Sequence, residues 1–135
     1  MNNKAKKAIC RKEDLGNEAS VEQFFVDRLL KRLGWSDSQI KTTESISELS
    51  VNLGRKKMPY KPDYALSYRR KVRFVIDAKS TKENLDSWVG QCSSYCLLIN
   101  QGYKDNPVQY FVLTNGLKTM LYRWDSAKPI LTLSL

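Results

Sequence analysis

The feature that most constrains this chain is the alternation of apolar and polar side chains over residues 61–79. The alternation runs over residues 61–68 and again over 72–79, as in strands that turn one face to a core. Each segment carries one acid on its less apolar face, and these acids, Asp63 and Asp77, are fourteen positions apart. The pattern therefore predicts a two-stranded hairpin with both acids near its open end.

The register of this hairpin decides whether the acids meet. If Tyr68 lies opposite Val72, the segment Arg69-Arg70-Lys71 forms a three-residue turn and the acids become neighbours on one face. A two-residue turn would move the acids to opposite faces, because side chains alternate with a period of two. We predict the three-residue turn.

The remaining segments predict an order α-β-β-β-α-β-β, which indicates a mixed sheet flanked by helices. Residues 1–16 form a Lys-rich segment that we interpret as a basic flexible arm, and residues 17–135 as a single domain. The predicted helices run from Asn17 to Gly34 and over 86–101, and the five strands of that order cover 46–51, 61–68, 72–79, 108–114 and 117–124, with a basic loop at 54–57 and a further candidate strand at 130–135.

Composition limits the chemistry. The 135 residues include 23 Lys and Arg against 14 Asp and Glu, a net charge of +9 that favours polyanionic partners such as nucleic acid. The absence of histidine excludes Ser-His-Asp and Cys-His catalysis and HExxH zinc sites within this chain. Three cysteines without a signal peptide, and no apolar run of membrane length, predict buried thiols in a cytoplasmic protein without membrane contact.

Several polar residues of the middle of the chain suit phosphodiester hydrolysis. Asp63, Asp77 and the backbone carbonyl of Ala78 offer the oxygen ligands that Mg²⁺ prefers. Lys79, two positions after Asp77, falls on the same strand face and would orient the attacking water or stabilise charge on the phosphate. A helical pair then follows at an i, i+4 interval. Gln91 would contact the DNA backbone or a water, and Tyr95 would bind phosphate or stack on a base.

These motifs resemble the PD-(D/E)xK nuclease superfamily. Pro62-Asp63, Asp77-Ala78-Lys79 and Gln91-Cys-Ser-Ser-Tyr95 are similar to the N-terminal nuclease domain of type I restriction enzyme R subunits and of related nuclease–methyltransferase fusions. Outside the motifs, the resemblance extends to the first predicted helix and to the closing hairpin, covering roughly residues 17–125. Asp77 stands where the family more often has Glu.

The resemblance implies a restriction-endonuclease-like mixed β-sheet core flanked by α-helices, which cleaves DNA with Mg²⁺, for which Mn²⁺ substitutes. It also implies an acid from the first helix at the metal site, for which Glu22 and Glu18 both qualify. Helicase motor, methyltransferase or specificity subunits, or fused domains, are the implied partners, with little base recognition by this domain itself. The alternative function is a non-cleaving DNA-binding or docking module of a larger restriction complex.

Overall fold

The computed structural model describes residues 9–41 and 62–135. The predicted strand at 46–51 and the predicted basic loop at 54–57 therefore lie outside the described residues.

The first helix, α1, covers residues 18–32 and begins at a capping box. The side chain of Asn17 accepts a hydrogen bond from the Ser20 amide at 2.8 Å, and Ser20 Oγ accepts one from the Asn17 amide at 3.0 Å. These bonds satisfy amides that have no partner within the helix. The helix ends before Gly34, whose φ of 89° lies in the left-handed region that favours glycine. It consists of an α-helical turn, a π-helical segment and a second α-helical segment, at Glu18–Ser20, Val21–Val26 and Asp27–Arg32.

A second helix, α2 at Val89–Asn100, continues from a 3₁₀ segment at Leu85–Trp88. Two further 3₁₀ turns lie at Lys12–Asp14 and Asp37–Gln39. The strands are β1 at Ile40–Lys41, β2 at Tyr64–Tyr68, β3 at Lys71–Ala78, β4 at Tyr110–Thr114, β5 at Lys118–Arg123 and β6 at Pro129–Ser134.

The strands form one mixed sheet in the order β1-β2-β3-β4-β5-β6. β3 and β4 are parallel and α2 lies between them in the chain, whereas the other neighbours pair antiparallel. The chain therefore has an α/β fold, as its sequence predicts. None of the helices in the described part of the chain is long and apolar enough to cross a membrane.

Each helix contributes to a different apolar cluster, so the sheet has a core on both faces. The α1 cluster combines the helix with Leu66, Ile76 and Ala78 of the hairpin. The α2 cluster takes the alternate strand positions Ala65 and Val75, because successive strand residues point to opposite faces. Residues of the α2 cluster from outside the hairpin include Cys92, Tyr95, Cys96, Ile99, Phe111, Leu113 and Tyr122.

The boundary predicted at residue 17 is wrong for the part of the arm that the structure describes. Cys10 and Leu15 are 5% and 3% exposed and belong to the α1 cluster. The Arg28 side chain also donates a hydrogen bond to the Ile9 carbonyl at 3.1 Å. Residues 9–16 contain few apolar side chains among many charges, and those few are the ones that pack.

Candidate functional site

The β2–β3 hairpin brings the two predicted acids together by a different route from the predicted one. Tyr68 pairs with Lys71, so the turn has two residues, Arg69 and Arg70. A β-bulge follows, because Ser67 pairs with Val72 whereas the neighbouring residue, Leu66, pairs with Phe74, so Arg73 is an extra residue. The predicted three-residue turn is thus wrong. The bulge supplies the extra residue that the shorter turn lacks, so the strands near the acids have the predicted register. Tyr64 pairs with Ile76, and Asp63 and Asp77 are the next residues on the two strands.

Hydrogen bonds between the two strands fix both carboxylates. Asp63 Oδ2 accepts a hydrogen bond from the Ala78 amide at 2.8 Å, and Asp77 Oδ1 accepts one from the Asp63 amide at 3.3 Å. Each acid therefore binds the backbone of the other strand where β2 and β3 meet the end of the sheet. Ala78 itself is fully buried and pairs with Thr114 of β4.

Lys79 completes a compact charged group with Asp77. Its Nζ lies 3.0 Å from Asp77 Oδ2, and the two side chains are 13% and 2% exposed. Burial lowers the pKa of Lys79, but the charge and hydrogen bond of Asp77 outweigh it, so the pKa lies above its usual value. The ammonium is therefore charged over the whole physiological range.

Asp63 is the unusual acid of the pair. Burial, a hydrogen bond to Asp77 and the negative charge of Asp77 together raise the pKa of Asp63 to about 8. Two carboxylates that share a small volume repel each other, and one of them retains its proton. A divalent cation between them would remove that repulsion and release the proton.

The two candidate acids of the first helix differ in their surroundings. Glu22 lies in the π-helical segment, is half-buried, and has a raised pKa because of burial and then the charges of neighbouring acids, which include Glu18 and Asp77. Its own charge contributes to the raised pKa of Asp63. Glu18 is exposed one turn earlier and raises the pKa of Lys79. Both acids lie in the electrostatic field of the group. Glu22 raises the pKa of Asp63, and the charge of Asp77 in turn contributes to the raised pKa of Glu22.

The two predicted polar residues of α2 have different positions. Gln91 is half-buried, and among the residues that the structure describes its Oε1 atom has no hydrogen-bond partner although the atom is fully buried. Tyr95 is 1% exposed and lies inside the α2 cluster. We therefore assign Tyr95 a packing role, since a ring inside the core contacts neither phosphate nor bases.

Two residues for which the sequence predicts no role in the site, Trp88 and Cys92, border the charged group. Trp88 lies beneath Lys79, with Nζ 3.8 Å from the centroid of its ring system, a cation–π contact. The Cys92 thiol lies 3.9 Å from Asp77 Oδ2, and burial together with the charge of Asp77 raises the pKa of Cys92. Helical spacing predicts α2 but not its 3₁₀ beginning, and that segment ends at Trp88.

The donors of this group suit a hard cation. Asp63 and Asp77 offer carboxylate oxygens side by side, and burial together with the hydrogen bond and charge of Asp77 raises the pKa of Asp63, a cost that a bound cation would offset. Within residues 9–41 and 62–135, no set of three or more acidic or thiol side chains is arranged as a metal-ligand cluster. Magnesium commonly takes one or two carboxylates and completes its shell with water and substrate oxygens, so the acid pair fits such a site.

No protein-family model, curated protein or solved structure matches this chain.

Proposed function

We propose that this protein is a Mg²⁺-dependent endodeoxyribonuclease of the PD-(D/E)xK type, with a restriction-endonuclease-like core. The observation that carries the proposal is the group of Asp63, Asp77 and Lys79. Two adjoining carboxylates can hold a metal for phosphodiester hydrolysis, and a half-buried lysine that contacts one of them can stabilise charge on the phosphate. The net charge of +9 supports a polyanionic substrate.

Asp63 and Asp77 would hold the Mg²⁺ ion, and Glu22 is the first-helix acid best placed to assist them. When bound, the ion would neutralise charge on the phosphate and lower the pKa of the attacking water. Mn²⁺, which also prefers oxygen ligands, is expected to substitute.

The side chains around the acids have separate roles in this proposal. Lys79 places a fixed positive charge where the phosphate gains negative charge, and Asp77 and Trp88 hold that charge in place. Gln91 Oε1 is an acceptor without a partner in the described part of the chain, and it would orient the water by accepting its hydrogen bond. Hydrolysis by in-line attack would leave a 5′-phosphate.

The second candidate function is a DNA-binding or docking module that does not cut. It is favoured by the basic composition, which is sufficient for metal-independent binding. Both functions are compatible with motor, methyltransferase or specificity partners that deliver the DNA.

Cleavage of supercoiled plasmid distinguishes the proposed nuclease from a DNA-binding or docking module that does not cut. The purified chain is incubated with Mg²⁺, Mn²⁺ or EDTA beside Lys79→Ala and Asp77→Ala, and nicking is followed on gels. We expect metal-dependent cleavage that falls at least about 100-fold in both variants, because Asp77→Ala removes a ligand of the metal and Lys79→Ala removes a positive charge at the phosphate. Lys82→Ala is the matched control, since Lys82 is exposed and outside the group.

Cleavage that persists undiminished in both folded variants would refute this active site. Binding of labelled DNA without any cleavage by the unaltered chain would favour the second function.

A further inference from the structure

The turn of the β2–β3 hairpin has an unfavourable backbone for its residues. Arg69 and Arg70 have φ of 51° and 65°, both in the left-handed region. Two-residue hairpin turns of this kind favour Asn-Gly, because most other side chains adopt positive φ only at a cost. Strain that persists at defined residues is a reason to look for a function of those side chains.

A groove lies beside this turn. It has a volume of about 430 Å³, and its lining includes Tyr68, Arg69, Arg73, Phe74 and Tyr110. Tyr68 and Tyr110 are 49% and 38% exposed, whereas large aromatic rings of a folded chain are usually well buried. Tyr110 is also stacked on Phe74, with ring centroids 6.0 Å apart and an interplanar angle of 20°. The groove therefore presents aromatic surface to solvent.

Positive charges surround these rings. The Arg69 guanidinium lies 5.3 Å from the centroid of the Tyr68 ring, and Arg73 Nε donates a hydrogen bond to the Tyr68 carbonyl at 3.0 Å. Arg70 is exposed at the tip of the turn. Lys71 lies 3.7 Å from the exposed carboxylate of Asp105, which neutralises only part of this charge. We call this surface, formed by Tyr68–Lys71, Arg73, Phe74 and Tyr110, the hairpin groove.

We propose that the hairpin groove binds single-stranded nucleic acid, with bases stacked on Tyr68 and Tyr110 and phosphates held by Arg69, Arg70 and Arg73. Exposed rings and clustered cations together are the elements of non-specific single-strand recognition, because every base has a face to stack and every nucleotide a phosphate. An acidic peptide would use the cations and leave the rings without a role.

The hairpin groove is separate from the acid pair. The turn and the acids lie at opposite ends of β3, about 20 Å apart at the usual rise per strand residue. Phe74, the groove residue nearest to Asp77 along the strand, is three positions away, about 10 Å, and points to the other face of the sheet. Binding there requires neither a metal nor Lys79, so this inference is independent of the proposed hydrolysis. If the chain does cleave DNA, the hairpin groove holds an unpaired strand away from the cutting position.

Fluorescence anisotropy with a labelled oligothymidine of about 15 nucleotides, in EDTA, tests the proposal. EDTA prevents metal-dependent cleavage, so the result does not depend on the proposed nuclease activity. The stacking variants are Tyr68→Ala and Tyr68→Phe. The charge variant is Arg69→Asn with Arg70→Gly, which installs the preferred turn residues. Its control is Lys82→Asn with Lys118→Asn, which removes equal charge from exposed positions at the end of the sheet opposite the turn.

We expect Tyr68→Ala to weaken binding about tenfold and Tyr68→Phe to retain it within about twofold, because the ring and not the hydroxyl stacks. The turn variant is expected to weaken binding at least about tenfold and to lower the salt slope by about 1.4, for two lost phosphate contacts. Its melting temperature should rise, because the strain is relieved, which excludes unfolding as the cause.

Three results would overturn the proposal. The first is a turn variant that binds no more weakly than its charge control, and the second is full affinity in Tyr68→Ala. The third is displacement of the oligothymidine by poly-glutamate as readily, charge for charge, as by unlabelled oligothymidine, which would assign the groove to acidic peptides.

Discussion

The two ends of the β2–β3 hairpin both carry residues that a stable hairpin would avoid, but the costs differ in kind. At the turn, exposed arginines adopt left-handed backbone angles, and the cost is conformational. At the open end, Asp63 and Asp77 are held side by side, and the cost is electrostatic, which the raised pKa of Asp63 records. Departures from local preference concentrate at functional sites in proteins. The comparison teaches that the two ends of one hairpin have different kinds of cost, so mutations should alter the two proposed sites separately.

The largest expected effect separates the two ends. Asp77→Asn should lower the plasmid cleavage rate at least about 100-fold, because a carboxylate is lost beside Lys79. The same variant should bind oligothymidine in EDTA within about twofold of the unaltered chain. The turn variant should show the reverse, with weak binding in EDTA and metal-dependent cleavage that recovers at saturating DNA.

Asp86→Asn is the control for this separation, since Asp86 is exposed and its replacement removes the same charge. Equal loss of cleavage in Asp77→Asn and in the turn variant at saturating DNA would show that the two ends form one site.

An intermediate effect tests whether Trp88 positions Lys79. Trp88→Leu removes the ring beneath the ammonium and should lower the cleavage rate about tenfold, which corresponds to a partly buried cation–π contact. Trp88→Phe should retain most of the rate, because an aromatic face remains. Cleavage at saturating DNA measures the effect, and circular dichroism checks the fold.

Trp88→Met is the control for side-chain size. A methionine variant as active as the phenylalanine variant would show that Trp88 contributes volume and not a cation–π contact.

The smallest expected effect is on the pH dependence of stability. The pKa of Asp63 is about 8 in the folded chain, against 3.8 for an ordinary aspartate. Between these values the folded state holds a proton that the unfolded state has lost, so stability falls as pH rises from about 4 to about 8. Asp63→Asn lacks this proton, and its melting temperature at pH near 8 should exceed that of the unaltered chain by a few degrees.

Mg²⁺ should reduce that difference by stabilising the unaltered chain at pH near 8, since a ligand that binds only the folded state stabilises it. Melting curves recorded between pH 4 and 8, with and without Mg²⁺, measure both effects. Parallel pH curves for the two proteins would contradict the raised pKa of Asp63.

The sequence predicts the acid pair because alternation constrains the face on which each strand residue lies. It does not predict the path of the turn, since the arginines at this turn lack the local preference that marks a two-residue hairpin. The turn has two residues instead of the predicted three, and the bulge at Arg73 compensates for this difference, so that the acids are neighbours.

The helical residues show where periodicity is insufficient. It predicts that Cys92 and Cys96 face the core, and both are fully buried. Periodicity does not support the predicted contact of Tyr95 with phosphate or a base. An i, i+4 interval places Gln91 and Tyr95 on one side of the helix but does not decide how deeply each side chain is buried. Trp88, which contacts Lys79, lies at the end of a 3₁₀ segment that helical periodicity does not predict.

The bulge at Arg73 bears on which insertions and deletions this hairpin tolerates during evolution. Fourteen positions between the acids accommodate either a three-residue turn with regular strands or a two-residue turn with one bulged residue. Both solutions leave the acids as neighbours, so the bulge can shift along the hairpin, or be exchanged for turn length, without loss of the pair. A net gain or loss of one residue leaves the acids paired where the turn or a bulge takes up the change, whereas a shift of one residue in the paired strands moves one acid to the opposite face. Changes in the length of this hairpin are therefore expected at the turn and the bulge, and not in the paired residues next to the acids.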